Sequence, residues 1–194
     1  MAIGKFKTAR KFNIKMSKIK NYRIVLSLLG FLLLLPMGKV SAATTGTVAA
    51  TVTPINISVS VTDGTVAYGS IDVSSSKDTT SGGTDDTQTA TNDGNVAEDL
   101  NILSSNATGG TTWTLAGSIG ANQYKHSFCV TGSGSPDLCD ATPTWTAMTT
   151  GYQALTSNLA AAGTKKFDLK IDTPSSVSDY VQKSITVTVQ AVIH

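Results

Sequence analysis

The sequence predicts an all-β protein in which antiparallel strands form a two-sheet sandwich, and three observations support this prediction. Apolar and polar residues alternate with period two in several segments, which places the apolar side chains on one face of a strand. Turn-forming residues separate these segments at short intervals. No stretch of a dozen residues carries an apolar stripe with helical spacing. Leu155–Ala162 would form at most a short helix.

The first 43 residues differ from the rest and predict a secretory signal peptide. A basic start without acidic residues precedes the uncharged apolar run at Ile24–Leu35, and the small residues VSAA follow at 40–43. This order is typical of a signal that is cleaved after Ala42 or Ala43. Met16 is an alternative start, because the chain from Met16 onward would also form an ordinary signal. The apolar run is shorter than the ~20 residues of a membrane span, although an uncleaved anchor remains the alternative.

Cleavage would leave residues 44–194 as one secreted domain with an acidic balance. Nine of the 15 Lys and Arg residues lie at or before Lys39, whereas all 13 Asp and Glu residues follow it, so the remainder carries six cations and a net charge of −7. Nucleic-acid binding needs clustered cations, so no nucleic-acid partner is expected. The mature form is not expected to span a membrane.

Strands are predicted wherever the alternation is clear. The strongest segments are Ile55–Val61, Phe167–Ile171 and Ile185–Ile193, and shorter ones lie at Val48–Val52, around Trp113, and at Tyr124–Val130. Asp63-Gly64 predicts a tight hairpin turn, and 74–88 predicts a polar loop. Eight to ten short strands with one apolar face each favour an immunoglobulin-like or jelly-roll sandwich over a parallel sheet that is covered on both faces.

The two cysteines, Cys129 and Cys139, are predicted to form a disulfide. An exported protein meets an oxidising environment, where two cysteines in a small domain usually pair. The sequence GSGSPD at 132–137 between them is typical of a turn. A metal site would need further ligands, of which only His126 is near, and a thioredoxin-like redox site would need C-x-x-C.

A cluster of oxygen-bearing side chains raises the alternative of a calcium site, since calcium prefers hard oxygen ligands. Turns also favour Asn and Asp for backbone reasons, and the cluster lacks the spacing of a twelve-residue calcium loop. The expectation is therefore no cofactor, with calcium as the alternative. The calcium candidates are Asp85, Asp86, Asn92, Asp93, Asn95, Glu98 and Asp99.

Few residues in the sequence suggest catalysis, so the protein is predicted not to be an enzyme. No G-x-S-x-G, H-E-x-x-H, Walker or dinucleotide motif occurs. His126 shares the strand parity of Tyr124 and Phe128, which predicts a half-buried place on a strand. A secreted hydrolase that uses His126 or the adjacent carboxylates Asp85-Asp86 or Glu98-Asp99 is the least favoured alternative.

Two segments resemble the WxL cell-wall-binding domain of Gram-positive surface proteins, an all-β family. GGTTWTLAG at 109–117 contains Trp113-Thr114-Leu115, and Tyr180 leads into an alternating final strand. In that strand Val187 and Val189 stand where the family's second motif has Trp and Leu. The resemblance implies a partner in the cell wall. The chain is also similar to bacterial immunoglobulin-like surface sandwiches, through NDGNVAEDLNI, KKFDLKIDTP and ITVTV.

The aromatic residues allow two interpretations. Trp113 and Leu115 are expected to belong to the core, whereas Trp145 and Tyr152, together with Tyr124, would form an exposed platform for sugar rings. The leading hypothesis is a non-catalytic secreted or cell-surface structural or adhesive protein. It would bind a cell-wall or surface glycan, or self-associate if Ala43–Thr53 added to the edge of a neighbour's sheet. A carbohydrate-binding module is the alternative.

Overall fold

A computed structural model describes residues 45–130 and 138–194, and this part of the chain is almost entirely β structure. Residues 45–51 form a unit separate from residues 52–194. The predicted signal peptide lies outside the described residues. The strands are β1 Val59–Thr62, β2 Ser76–Asp78, β3 Gln88–Asn92, β4 Glu98–Ser104, β5 Thr114–Leu115, β6 Gln123–Val130, β7 Thr146–Ala147, β8 Gln153–Leu159, β9 Thr164–Asp172 and β10 Val187–Ile193, and the short helix α1 spans Leu138–Ala141.

The larger sheet has seven strands and is organised around β9. One edge of β9 pairs with β3 along its first half and with β2 along its second half, while the other edge pairs with β6. β1 extends the sheet beyond β3, and β5 and β7 pair with β6. These pairs are antiparallel, except that β5 runs parallel to β6. The smaller sheet has the antiparallel order β10-β4-β8.

The two sheets pack face to face around the apolar side chains that alternation predicts. Phe167, Leu169 and Ile171 of β9 are at most 5% exposed. The main core cluster combines side chains from both sheets: Ala90, Leu100, Ile102, Phe128, Met148, Leu155, Phe167 and Leu169. The predicted all-β sandwich is therefore confirmed, since alternating strands bury one face of each sheet against the other.

The second face of β9 is also covered, by the segment that the composition predicts to be a polar loop. This segment contains β2, and Thr79 and Asp168 are fully buried beneath it. The hydroxyl groups of Thr79 and Thr87 donate hydrogen bonds of 2.7 and 2.9 Å to Asp168 Oδ1. Because hydroxyl donors stabilise a buried carboxylate, a Ser- and Thr-rich segment can pack over a strand without apolar residues.

The chain ahead of β1 is held beside the turn between β3 and β4. The backbone amide of Ser58 donates to Glu98 Oε1 at 2.9 Å, and Asn56 N donates to Asn95 Oδ1 at 2.8 Å. Gly94 allows this close approach, because a Cβ there would lie 2.2 Å from Glu98 Oε1 and 2.6 Å from the carbonyl oxygen of Asn56. These contacts fix where the chain enters the sandwich.

Several predicted local structures are wrong. Asp63-Gly64 does not close a hairpin: β1 pairs with β3, and residues 65–73 continue without a strand. Leu155–Ala162 is not helical, because most of it belongs to β8. Val48–Val52 forms no strand, and the predicted strand at Ile55–Val61 begins only at Val59. At β1 and β8, tertiary pairing decided the outcome over the local pattern.

The predicted disulfide is confirmed. Cys129 at the end of β6 is bonded to Cys139 in α1, with the Cα atoms 6.0 Å apart. Both side chains are buried. The GSGSPD turn lies outside the described residues. No helix in the described part of the chain has the length and hydropathy to cross a membrane.

We expect the disulfide to stabilise the domain by roughly 2–3 kcal/mol, because it restricts the unfolded chain across a short loop. The double substitution Cys129→Ser/Cys139→Ser should lower the free energy of unfolding by that amount in urea denaturation. Reductant should destabilise the wild-type protein similarly and leave the double variant unchanged. An unaltered denaturation midpoint in the double variant would contradict this expectation.

Candidate functional site: an open groove between the sheet edges

A groove of about 1110 Å³, lined by both polar and apolar groups, lies beside the two sheets. One run of lining residues comes from residues 61–73, which follow β1, and a second comes from residues 177–189, which lead into β10. Phe167, Leu169 and Ile171 of β9 also line it, and since these side chains belong to the cores, they form its floor. The groove therefore lies where the edges of the two sheets face each other, above a buried floor and between walls whose apolar side chains, such as Val187 and Val189, are half-buried.

The edges beside the groove offer backbone groups for pairing. β10 is an edge strand of the smaller sheet, with β4 as its strand partner among the described residues. Its inner side chains Val187 and Val189 pack against the core but are only half-buried. An edge strand of this kind presents unpaired N–H and C=O groups to any extended chain beside it.

Beyond Thr62, where the β1–β3 ladder ends, the wall formed by residues 61–73 is held mainly by side-chain contacts. Val66 and Tyr68 pack against the main core, and Ile71 packs against the second cluster. Lys77 Nζ donates to the carbonyl oxygen of Tyr68 at 2.8 Å. The Tyr68 hydroxyl lies 3.0 Å from His126 Nε2. This wall is thus anchored at a few points along its length.

His126 joins three parts of the sandwich. It lies on β6, its Nε2 meets Tyr68 from the groove wall, and its Nδ1 lies 2.9 Å from Ser104 Oγ on β4. The side chain is only 1% exposed. Burial lowers the pKa of His126 to about 3, so the ring is neutral near pH 7. A neutral ring with one donor and one acceptor matches two hydroxyl partners, which indicates a structural role.

Lys183 holds the wall formed by residues 177–189 to the neighbouring loop. Its ammonium group donates to Asp179 Oδ1 and to the carbonyl oxygen of Thr111, both at 2.7 Å, and also to the carbonyl oxygen of Gly109. It lies 5.5 Å from the centre of the Trp113 ring. The hydrogen bond from Lys183 holds the pKa of Asp179 well below its usual range. This network joins the loop after β4 to the chain ahead of β10.

The residues of the WxL-like motif belong to the second core cluster. Leu115 is buried, and Trp113 packs beside it while also lining the groove. The Trp113 ring lies 6.4 Å from that of Tyr124. Trp113 Nε1 is buried without a hydrogen-bond partner in the described structure. The motif therefore contributes to the second core cluster and to the groove.

The expectation that Tyr124 forms part of an exposed platform is wrong. Tyr124 is fully buried, and its hydroxyl donates to the carbonyl oxygen of Ser105. Its parity on β6 follows Phe128 and His126, which also point inward. Of the other two aromatics, Tyr152 is 47% exposed, whereas Trp145 is half-buried with Lys170 Nζ 5.9 Å from its ring centre.

The calcium candidates are distributed over separate contacts. Asn95 and Glu98 hold the chain ahead of β1, whereas Asp99 accepts hydrogen bonds from Asn158 and His194. Asp86 accepts from Gln88 at 2.9 Å. Within the described ranges, no group of three or more His, Cys, Asp or Glu side chains is arranged to hold a metal ion. Calcium binding stays a prediction from composition.

Comparison with protein-family models, with curated proteins and with solved structures finds no match to this chain. The groove was missed at the sequence level because its walls are irregular segments. The sequence feature that could have indicated the groove is the alternation of apolar and polar residues that begins at Ile185, two residues before β10. Ile185, Val187 and Val189 of this pattern all line the groove.

We expect His126 to make the domain less stable in acid. Its folded pKa is about 3 and its unfolded pKa about 6.5, so its contribution is complete above pH 6.5 and is lost as the pH falls toward 3. Between pH 7 and pH 5 this costs about 2 kcal/mol of the free energy of unfolding. His126→Gln should remove that part of the pH dependence in urea titrations.

The matched control is His194→Gln, which removes the exposed histidine beside Asp99. This variant should keep the steep loss of stability between pH 7 and pH 5. Equal pH dependence in the His126→Gln variant and the wild-type protein would contradict the buried neutral assignment.

Proposed function

We propose that this chain is a non-catalytic, exported structural protein of the cell surface, and that its groove accepts an extended strand from a partner. The observation that carries the proposal is the groove beside the edge strand β10, whose half-buried Val187 and Val189 line it. Its volume of about 1110 Å³ exceeds the ~300–1,000 Å³ that is usual for small-molecule sites. Main-chain pairing with an edge, combined with side chains in a groove, is the strand-addition mode of recognition.

Export is supported by the leader-like first 43 residues and by the disulfide. Structural disulfides form and persist in oxidising compartments, and Cys129 is bonded to Cys139. The predicted mature chain carries a net charge of −7 and is rich in Ser and Thr. These properties suit a protein that remains outside the cell without binding nucleic acid.

A structural role is also favoured by the environment of the two histidines. His126 is buried between Tyr68 and Ser104, where a substrate would have to displace core contacts. His194 pairs with Asp99 on the surface at 2.7 Å. One alternative is glycan binding through Trp145 and Tyr152, without the buried Tyr124. The other alternative is attachment to the cell wall, as the WxL resemblance implies.

We expect a charge on the groove side of β10 to abolish assembly. Val189→Lys places an ammonium group in the groove, whereas the matched control Gln190→Lys places the same charge on the neighbouring position with opposite parity. Size-exclusion chromatography and negative-stain microscopy of the exported protein should show oligomers or filaments for wild type and Gln190→Lys only. Thermal unfolding would confirm that Val189→Lys remains folded.

A wild-type protein that stays monomeric at high concentration, without surface material in microscopy, would contradict the proposed function. Equal assembly of the two lysine variants would instead show that association uses a different surface.

A further inference from the structure

We propose that the strand received by the groove is residues 45–53 of a second copy of this chain, which we call the donor segment. This inference rests on the proposed function and names its partner. The protein would thereby assemble head to tail, since each copy offers one donor segment and one groove.

The donor segment has the pattern that the groove requires. Val48, Ala50 and Val52 share one parity, and threonines fill most of the other. An extended strand of this sequence presents a row of small apolar side chains on one face and hydroxyl groups on the other. The segment carries no charge, so burial against the core costs no ion desolvation.

Exposure supports an external partner for this part of the chain. Val48 is 94% exposed and Val52 is 89% exposed, and residues 45–58 form no strand. Isolated exposed valines are common, but here they alternate in a segment with strong strand propensity. Pairing with β10 would cover both these side chains and the half-buried Val187 and Val189 of the groove.

The alternation changes phase at Pro54. Val48 and Val52 occupy even positions, whereas Ile55 and Ile57 share the odd parity of Val59 in β1. One continuous strand cannot place both sets on the same face, because side-chain direction has a strict period of two. Proline also removes a backbone donor from the ladder. The chain is thus divided into a donor segment and the entry to its own β1.

The anchoring of the entry segment favours a second copy over the same molecule. The contacts of Pro54 and Asn56 with Asn95 fix the chain beside the β3–β4 turn, upstream of β1. The groove walls begin only at Val61, downstream of the start of β1. Insertion of the segment into the groove of the same molecule is the alternative that the sedimentation experiment below distinguishes.

The lengths are also compatible. Nine extended residues span about 30 Å, and residues 181–189, which border the groove and continue into β10, are equally numerous. The half-buried Val187 and Val189 would meet the apolar face of the donor. Its threonine face would then lie on the outside, as Thr186 and Thr188 of the acceptor do by parity.

The decisive experiment compares two charge pairs in the full-length, exported protein. Val48→Asp/Val52→Asp places carboxylates on the groove-facing side of the donor, and assembly should weaken at least about tenfold. Thr47→Asp/Thr51→Asp adds the same charge to the outward side and should change assembly by less than about threefold. Assembly is measured by sedimentation velocity over a range of concentrations.

A second measurement tests the groove directly. In Trp145→Phe, Trp113 is the remaining tryptophan, and it lines the groove. A peptide with the sequence of residues 45–53 should bind and shift the Trp113 emission when added to this variant combined with Val48→Asp/Val52→Asp. A peptide carrying the two Asp substitutions should not shift it.

The outcomes separate the two proposals. If both aspartate pairs assemble like the wild-type protein while Val189→Lys does not, the groove receives another strand, and only the donor assignment is overturned. A concentration-independent monomer whose stability falls in Val48→Asp/Val52→Asp would show insertion within one molecule and would overturn it too. Absence of any Trp113 response to the wild-type peptide would also overturn the donor assignment.

Discussion

The burial of the apolar face of β9 is the constraint on which the rest of the structure depends. Phe167, Leu169 and Ile171 contribute to both core clusters, and the same side chains form the floor of the groove. The opposite face is buried as well, where Asp168 receives hydroxyl donors from the 79–87 segment. Because β9 is buried on both faces, the fold is stable, and the apolar surface that stays accessible beside β10 belongs to half-buried wall side chains such as Val187 and Val189.

The groove and its surroundings combine rigid and loosely held parts. β6 and β9 are joined by a ladder, His126 on β6 contacts Ser104 on β4, and the disulfide ties one end of β6 to α1. The wall at 61–73 lacks a ladder beyond Thr62 and depends on Tyr68 and a few side-chain contacts. Segments with few backbone pairs rearrange at low cost, so this wall is the part that would adapt to an incoming strand.

The main strands could be predicted from sequence because their alternation agrees with their packing. Alternating apolar residues predict half-buried strands at Phe167–Ile171 and at the end of the chain. The disulfide is predicted because an exported protein meets an oxidising environment and the two cysteines lie close together in the sequence. The hairpin predicted at Asp63-Gly64 is wrong because a turn dipeptide indicates only local geometry, whereas β1 pairs with the more distant β3. The platform assignment of Tyr124 is wrong because the side chain shares the inward parity of His126 and Phe128 and a backbone carbonyl accepts from its hydroxyl in the interior. The groove depends on which strands are adjacent, and single-sequence periodicity does not contain that information.

The most direct test of the account is amide hydrogen exchange in β10, measured on the isolated monomer and on the assembled protein. An edge strand next to an empty groove should have fast exchange at the outward amides of residues 187–192, and these amides should become protected on assembly. The amides of β4, which pair on both sides, should be protected in both states. Equal protection of β10 before and after assembly would contradict the claim that its free edge receives a strand.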